Sequence, residues 1–320
     1  MAQFETVVCD GCGEHEHTVE YGFAVAGTDA RIVRCRSCGL AYLSPRPTAA
    51  ALPEFYRDTY YAFSPSENPA HLSRKERLRR GILRNHFGYT QVDGMDVPKP
   101  LSAALARFMV MPTYQPGGRV LDVGCGAGDR LVDFRAFGWG ASGIEISAQA
   151  VAAGRARGLD IHAGSLEDAP WPPASFSTIC FYHSLEHMPS PSAALRKAFE
   201  LLRPGGELLV AVPNYGCSER RLFGAAWDWL QVPIHFYHFD KRSLPRIVGA
   251  AGFSALRLEY SFHGRSATVR LPGLPKRLAG MLQTAVNLLA IPCAAMGDGK
   301  ALTLTAQRPA LPQQRPEPAP

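Results

Sequence analysis

The chain of 320 residues is long enough to bury a full hydrophobic core and to carry a small appendage beside it. Its apolar fraction of 46% excludes a chain too polar to fold, and 34 Lys and Arg against 28 Asp and Glu, a formal net charge of +6, is too small a surplus to mark a nucleic-acid specialist. The opening "MAQFETVVCDGCG" has no basic start and no apolar core, so no signal peptide is expected and a cytoplasmic setting is.

Residues 1–60 carry short β-like pieces and four of the eight cysteines. Cys9, Cys12, Cys35 and Cys38 form two C-x-x-C-G turns with 22 residues between them. Reducing surroundings argue against disulfides, and each turn aims two thiolates at one point, so the pairs predict a closed tetrahedral site for structural Zn2+. His15 and His17 lie nearby as rival ligands, but two matching knuckles favour reading them as surface residues. A redox dithiol is disfavoured because no thioredoxin-like βαβ unit precedes the pairs.

Residues 61–115 read as helices that cap or line a substrate region, and they hold the basic run "RKERLRRGILR". Arg74, Lys75, Arg77, Arg79, Arg80 and Arg84 face only Glu76 between residues 71 and 90. Such a run is either a solvated helix face or a contact for phosphate, on a nucleotide-sugar, a lipid-linked glycan or a membrane surface. Aromatic interleaving is thin, which argues against nucleic acid as partner.

From 116 to 308, apolar strand-like runs alternate with helical stretches, the pattern of an α/β fold with a parallel sheet. Strands are expected at Arg119–Val123, Ala141–Ile146, Asp160–Ala163, Thr178–Tyr182 and Glu207–Val212. The helix "PSAALRKAFELLRPGG" should stop at Pro204-Gly205-Gly206. Near the end, "SALRLEYSF" and "ALTLTAQR" predict an antiparallel pair with residues 263–298 inserted between them. The uncharged run 278–296 approaches spanning length but contains Gln283, Asn287 and Pro292, so it reads as a buried or interfacial helix that with the basic run offers peripheral membrane contact. Five prolines in residues 309–320 predict a disordered tail.

The stretch "VLDVGCGAGDR", residues 120–130, is a strand running into Gly124, Gly126 and Gly128. Glycines there permit a tight turn and close approach of a ligand to free amides at a helix start. The spacing is G-x-G-x-G, and the dinucleotide fingerprint asks for G-x-G-x-x-G. Asp122 adds a carboxylate that serves a pyrophosphate badly and an ammonium well. Glu145, 17 residues beyond Gly128, stands where a carboxylate accepts both hydroxyls of a ribose. The combination favours adenosine with an amino-acid arm, S-adenosylmethionine, over a nicotinamide dinucleotide or an empty turn.

"VLDVGCGAG", "GIEIS", "SLEHMPSPSAALRKAFELLRPGGELLVAVPN" and "WLQVPIHFYHF" together resemble the class I S-adenosylmethionine-dependent methyltransferases. The resemblance implies a Rossmann-like seven-stranded sheet with an antiparallel last strand, beside the zinc ribbon and helical cap. It implies that Asp122, Gly124, Cys125, Gly126 and Gly128 hold the methionine arm, that Glu145 and Ile146 meet the ribose side, that Leu166 and Glu167 flank adenine, and that Tyr182 and His183 complete the cofactor wall. Ser165 departs from the Asp common there, which leaves the adenine contact to the backbone of 166 and 167. "CGLAYLSPRPTAAALPEFYRDTYY" is similar to zinc-ribbon methyltransferases of bacterial surface-glycan and modified-sugar gene clusters. That likeness implies a small-molecule or glycan acceptor, O-methylation foremost, with the appendage helping to select it. An RNA or protein methyltransferase and an inert scaffold of the same fold are the rival readings, and the oligomeric state is left open.

In "FYHSLEHMPSP", His183, Glu186 and His187 sit at i, i+3 and i+4 at the ligand edge of the sheet, and His235 and His238 follow in "VPIHFYHF". Three readings stand. Glu186 and His187 orient the loop; His187 or His235 is general base toward an acceptor hydroxyl; or His183, Glu186, His187 and His235 hold a second divalent metal, as an E-x-x-E-H motif does in some related small-RNA and ubiquinone-pathway methyltransferases. Tyr215, Trp227, Trp229, Tyr237 and Phe262 are candidates to stack on the acceptor or to pack in the core.

Overall fold

The computed structural model describes residues 3–56, 73–261, 275, 278, 281 and 297–310. In chain order its strands begin with β1 (Phe4–Glu5), β2 (His17–Val25), β3 (Thr28–Cys35), β4 (Ala41–Leu43) and β5 (Arg46–Pro47). Helices α1 (Arg74–His86) and α2 (Lys99–Ala106) follow. Then come β6 (Arg119–Val123), α3 (Asp129–Ala136), β7 (Gly140–Glu145), α4 (Ala148–Ala156), β8 (Asp160–Ala163) and β9 (Phe176–Tyr182). The rest comprises α5 (Pro191–Leu201), β10 (Leu202–Pro213), α6 (Ser218–Phe223), β11 (Tyr237–His238), α7 (Ser243–Ala250), β12 (Ser254–Ser261) and β13 (Ala301–Gln307).

The main sheet has seven strands in the order β12-β13-β10-β9-β6-β7-β8. Strands β6 to β10 pair in parallel, and β13 runs antiparallel to both β10 and β12. This is the Rossmann-like arrangement with a reversed last strand, and the late pair lies where its two apolar runs suggested. Helices cover both faces, so a central strand must be apolar on both sides, and all seven residues of β9 are buried. Ser147 and Ser190 cap α4 and α5 through their hydroxyls, and Pro191 fills the first position of α5. Strands β7 and β9 shift by one or two residues from expectation, and β10 starts five residues early. The turn at 204–206 lies inside β10, which begins at Leu202 and slips register before Glu207.

The amino-terminal sheet is four-stranded, β11-β4-β3-β2, so residues 237 and 238 complete a sheet begun by residues 17–43. The basic run folds as α1, but half of it is spoken for. Arg79 pairs with Glu76 and Asp133, Arg80 with Glu76, Arg84 with Asp96, and the Arg79 and Arg80 guanidinium groups lie over the Phe137 ring. Arg79 and Arg80 hold α1 against the end of α3 and Arg84 ties it to the following segment, so these three cations are engaged within the fold. Among the described residues no helix is long and apolar enough to cross a membrane. Most of the run 278–296, Phe262 and the tail from 311 lie outside the described residues.

Candidate cofactor and acceptor site

The glycine loop leaves β6 at Val123 and enters α3 at Asp129. Gly124 sits at φ +72°, and a Cβ there would stand 2.6 Å from the Ser184 Cβ. Gly128 caps α3 at φ +83°, and a Cβ there would meet the Leu159 side chain at 2.4 Å. Both positions therefore require glycine for conformation and for space. Glu145 braces the loop, accepting from Gly126 N at 3.0 Å through one oxygen and from Ser147 N at 2.8 Å through the other. Each carboxylate oxygen keeps a further lone pair for a ligand hydroxyl.

Asp122 is 2% exposed, and its Oδ1 is buried without a hydrogen-bond partner. Burial pushes its carboxyl up to about 7, against the pull of Arg130 and with the help of Glu145. Arg130, in the first turn of α3, lays its guanidinium over the Tyr182 ring, 3.6 Å from the centroid. Sequence reading did not find Arg130. Its one signal was a cation at a helix start, where the macrodipole disfavours positive charge.

The remaining cofactor candidates are distributed unevenly. Ile146 is 65% exposed at the rim beside Glu145, Leu166 is buried and Glu167 is exposed. The Ser165 hydroxyl donates to Asp168, so it is occupied within its own turn. Cys125 is partly buried, and a Cβ on Gly143 would stand 2.5 Å from its Sγ. His183 takes a left-handed φ of +53° at the end of β9, donates its backbone N–H to Ala211 O, and sets its ring edge-on to Trp229. Burial lowers its pKa to about 4, which keeps it neutral.

Glu186, His187 and His235 each offer one ligand atom within 4.8 Å of the others. His183 is outside that convergence, with its Nδ1 3.4 Å from Glu186 Oε1. The expected quartet is thus a trio. Glu186 is 0% exposed, neither carboxylate oxygen has a hydrogen-bond partner, and burial pushes its carboxyl up to about 7. His187 Nδ1 lies 2.9 Å from Ile234 O and 3.1 Å from the hydroxyl of Tyr56; His235 Nδ1 lies 2.9 Å from Trp229 O. Carbonyl oxygens only accept, so both histidines carry the proton on Nδ1 and keep a lone pair on Nε2. Burial lowers both pKa values, and both rings are neutral.

Of the aromatic candidates, Tyr215, Trp227 and Tyr237 are buried, with Tyr215 Oη donating to Glu20 and Tyr237 Oη to Pro189 O. They pack the core. Trp229 is half-buried beside His183 and is the aromatic left at the site. His238 pairs Ala41 across the small sheet and is buried there.

At the end of β3, next to the Arg34–Ala41 pair, the four Sγ atoms of Cys9, Cys12, Cys35 and Cys38 lie within 4.8 Å of one another. Both knuckles close the same way, Gly13 N to Cys9 O and Gly39 N to Cys35 O, with φ near +75° at each glycine. Cys38 N points at Cys35 Sγ from 3.4 Å, the kind of amide contact a thiolate ligand accepts. Four converging soft donors fit Zn2+. His17 Nδ1 is engaged with His15 O, apart from the cluster.

A family model described as a methyltransferase domain matches residues 94–258. The ubiquinone biosynthesis O-methyltransferase of Xanthomonas euvesicatoria is 36% identical over 105 residues, 31% of this chain and 44% of that protein. A probable S-adenosylmethionine-dependent methyltransferase of Mycolicibacterium smegmatis is 31% identical over 153 residues, 46% of this chain and 56% of that protein. The chain thus spans about half the length of these curated relatives. Among solved structures, a methyltransferase of Thermotoga maritima described as a possible histamine N-methyltransferase has TM-score 0.47 at 17% identity, covering 72% of this chain and 94% of that one. A Haloferax volcanii putative methyltransferase complexed with the Trm112 activator has TM-score 0.49 at 18% identity, covering 74% and 96%. With half its length matched by that model and the sheet order on the page, the chain belongs to the class I S-adenosylmethionine-dependent methyltransferase family.

Proposed function

We propose that this protein transfers a methyl group from S-adenosylmethionine to a hydroxyl of a small-molecule acceptor. The observation that carries the reading is the buried, unpartnered oxygen of Asp122 beside a glycine loop, with Arg130 close by. A carboxylate and a guanidinium side by side suit the ammonium and carboxylate of an amino-acid arm. Glu145 and the rim residue Ile146 take the ribose side, and the turn at Leu166 and Glu167 takes adenine. When bound, the cofactor supplies an electrophilic methyl group on a sulfonium whose leaving group is a neutral thioether.

The protein's own task is alignment and, for a hydroxyl acceptor, proton removal. His187 and His235 present Nε2 lone pairs, their Nδ1 protons held by Ile234 O and Trp229 O. Either Nε2 takes the hydroxyl proton, and Glu186, within 4.8 Å, stabilises the imidazolium formed. Trp229 walls the acceptor side. The name of the Xanthomonas relative, an O-methyltransferase, supports the oxygen acceptor; a sugar hydroxyl on a glycan is the alternative acceptor of the same chemistry.

A second reading has its own observation. Neither Glu186 oxygen is hydrogen-bonded, and one ring nitrogen of each of His187 and His235 lies within 4.8 Å of it, with Nδ1 of both rings fixed by carbonyls, the outer-shell pattern of metal-bound histidine. In that reading Glu186, His187 and His235 hold a divalent cation that would polarise the acceptor oxygen. Cys9, Cys12, Cys35 and Cys38 hold structural Zn2+, for which a reducing, cytoplasmic setting is appropriate. Titration with S-adenosylhomocysteine tests the function: micromolar binding that Asp122→Ala abolishes is expected, and no binding refutes it. Metal analysis separates the two readings of the trio, one zinc per chain for the base and two metals for the cation.

A further inference from the structure

Three ribbon side chains converge on the segment that carries the Glu186–His187–His235 cluster. Tyr56 sets its hydroxyl 3.1 Å from His187 Nδ1. Arg46, 6% exposed, donates to Pro189 O at 2.9 Å and to Tyr237 Oη at 3.1 Å, with its guanidinium over the Phe236 ring. Asp10 accepts from the Ser190 hydroxyl at 2.6 Å, from the Ser192 hydroxyl at 3.1 Å and from Ser192 N at 2.8 Å. It lies between Cys9 and Cys12, and its carboxylate sits on the amino-terminal turn of α5, where the dipole favours negative charge. A buried arginine and a helix-capping carboxylate, both supplied from more than 140 residues away in sequence, fix residues 189–192 from one side.

The second knuckle reaches the same cluster by another route. Cys35 N bonds to Leu40 O, and β4 continues from there to pair with β11. Leu43 N donates to Phe236 O, and Phe236 N donates to Glu186 O, so one residue next to His235 is held by the ribbon and itself holds the glutamate. Each knuckle thus ends at one of the two segments whose side chains converge.

We propose that the cysteine ribbon is a positioning element for the Glu186–His187–His235 cluster, metal occupancy at Cys9, Cys12, Cys35 and Cys38 being transmitted through Asp10 to the 187–192 segment and through β4 to the 234–238 segment. The inference rests on the reading of that cluster as the acceptor-side machinery. Physically, so small a sheet depends on its metal for a defined shape. Without the ion, four thiols packed within a few ångströms have no common partner, the Cys9–Cys12 turn loosens, and Asp10 no longer reaches α5 in one geometry. Tyr56, Arg46 and Asp10 are positioning residues. They touch the cluster or its supporting segment from outside.

The test uses the full chain loaded with zinc and side-chain 15N chemical shifts of His187 and His235, which report tautomer and hydrogen bonding. S-Adenosylhomocysteine affinity is measured in parallel. Extraction of zinc by a chelator should move both histidine signals while the nucleoside Kd changes by less than about threefold. In zinc-loaded protein, Asp10→Asn should move His187, and Tyr56→Phe, which deletes one hydroxyl, should move His187 more than His235. Unchanged histidine signals in Asp10→Asn and Tyr56→Phe overturn the proposal, even where zinc extraction unfolds the chain. So does a ribbon that holds no zinc. Failure of the loaded protein to bind S-adenosylhomocysteine refutes the methyltransferase reading instead, and leaves the histidine shifts to decide the coupling.

Discussion

Replacing Asp122 by Asn should stabilise the free protein at neutral pH while crippling its cofactor site. Burial moves the Asp122 carboxyl from its ordinary 3.8 to about 7, with Arg130 opposing and Glu145 reinforcing the shift. At 1.36 kcal/mol per pH unit, ionising this group in the folded chain costs about 4 kcal/mol relative to the unfolded chain. The sign follows from proton binding. The folded state holds the proton more tightly, so the contribution to stability is complete below pH 3.8, is lost as pH rises to 7, and is constant above. Asn cannot titrate in either state. The stability of Asp122→Asn minus that of the native chain should therefore grow by about 3 kcal/mol between pH 5 and pH 8, or about 4 °C in midpoint for a chain of this size. Any fixed cost of the amide drops out of that difference. In the bound state the balance reverses, because an ammonium pairs only with the ionised acid; Asp122→Asn should weaken S-adenosylhomocysteine by about 2–5 kcal/mol. Native affinity should rise with pH up to about 7, and mutant affinity should stay flat. Melting curves at pH 5, 6, 7 and 8 and calorimetric titrations at the same values decide it. Parallel stability profiles for the two proteins would refute the reasoning, since they would mean that Asp122 ionises without difficulty and is not held for a cation.

Arg130→Met should weaken S-adenosylhomocysteine roughly 10- to 100-fold and leave 5′-methylthioadenosine, which lacks the amino-acid arm, unchanged in the same titration; equal losses for both would exclude contact with the arm. His187→Ala and His235→Ala should lower methyl transfer to a hydroxyl acceptor by about 10²–10⁴ with nucleoside affinity preserved, read from initial rates beside calorimetry, and undiminished rates would remove the pair from proton transfer. Gly128→Ala should destabilise the fold by about 1–3 kcal/mol, because a Cβ at φ +83° would meet Leu159 at 2.4 Å; a urea midpoint equal to that of the native chain would show that the loop relaxes freely.

What was legible in the sequence is what local chemistry dictates. The glycine spacing, the apolar runs of β6, β7, β9 and β10, and the two knuckles each state their conformation within about a dozen residues. The strand pair β12 and β13 is read the same way, one run at a time. What escaped depends on partners far along the chain. Strand β11 is two residues long and exists as a strand only because β4 is there to accept it. Arg79 and Arg84 look like a basic face until Asp133 and Asp96 are brought beside them. Arg130 looks like an ordinary helix residue until Tyr182 arrives from β9. Asp10 is the sharpest case, since a residue inside a cysteine knuckle has every local reason to be a turn-former, and its bond to Ser192 spans 182 positions. The same reasoning bears on the His/Glu cluster. Its residue types were visible, but their roles turn on which nitrogen is free, and that is set by two backbone carbonyls, Ile234 O and Trp229 O, on a loop closed from outside by the ribbon. The roles proposed for these side chains therefore depend on the contact between the two sheets, carried by Leu43 N–H to Phe236 O and Phe236 N–H to Glu186 O.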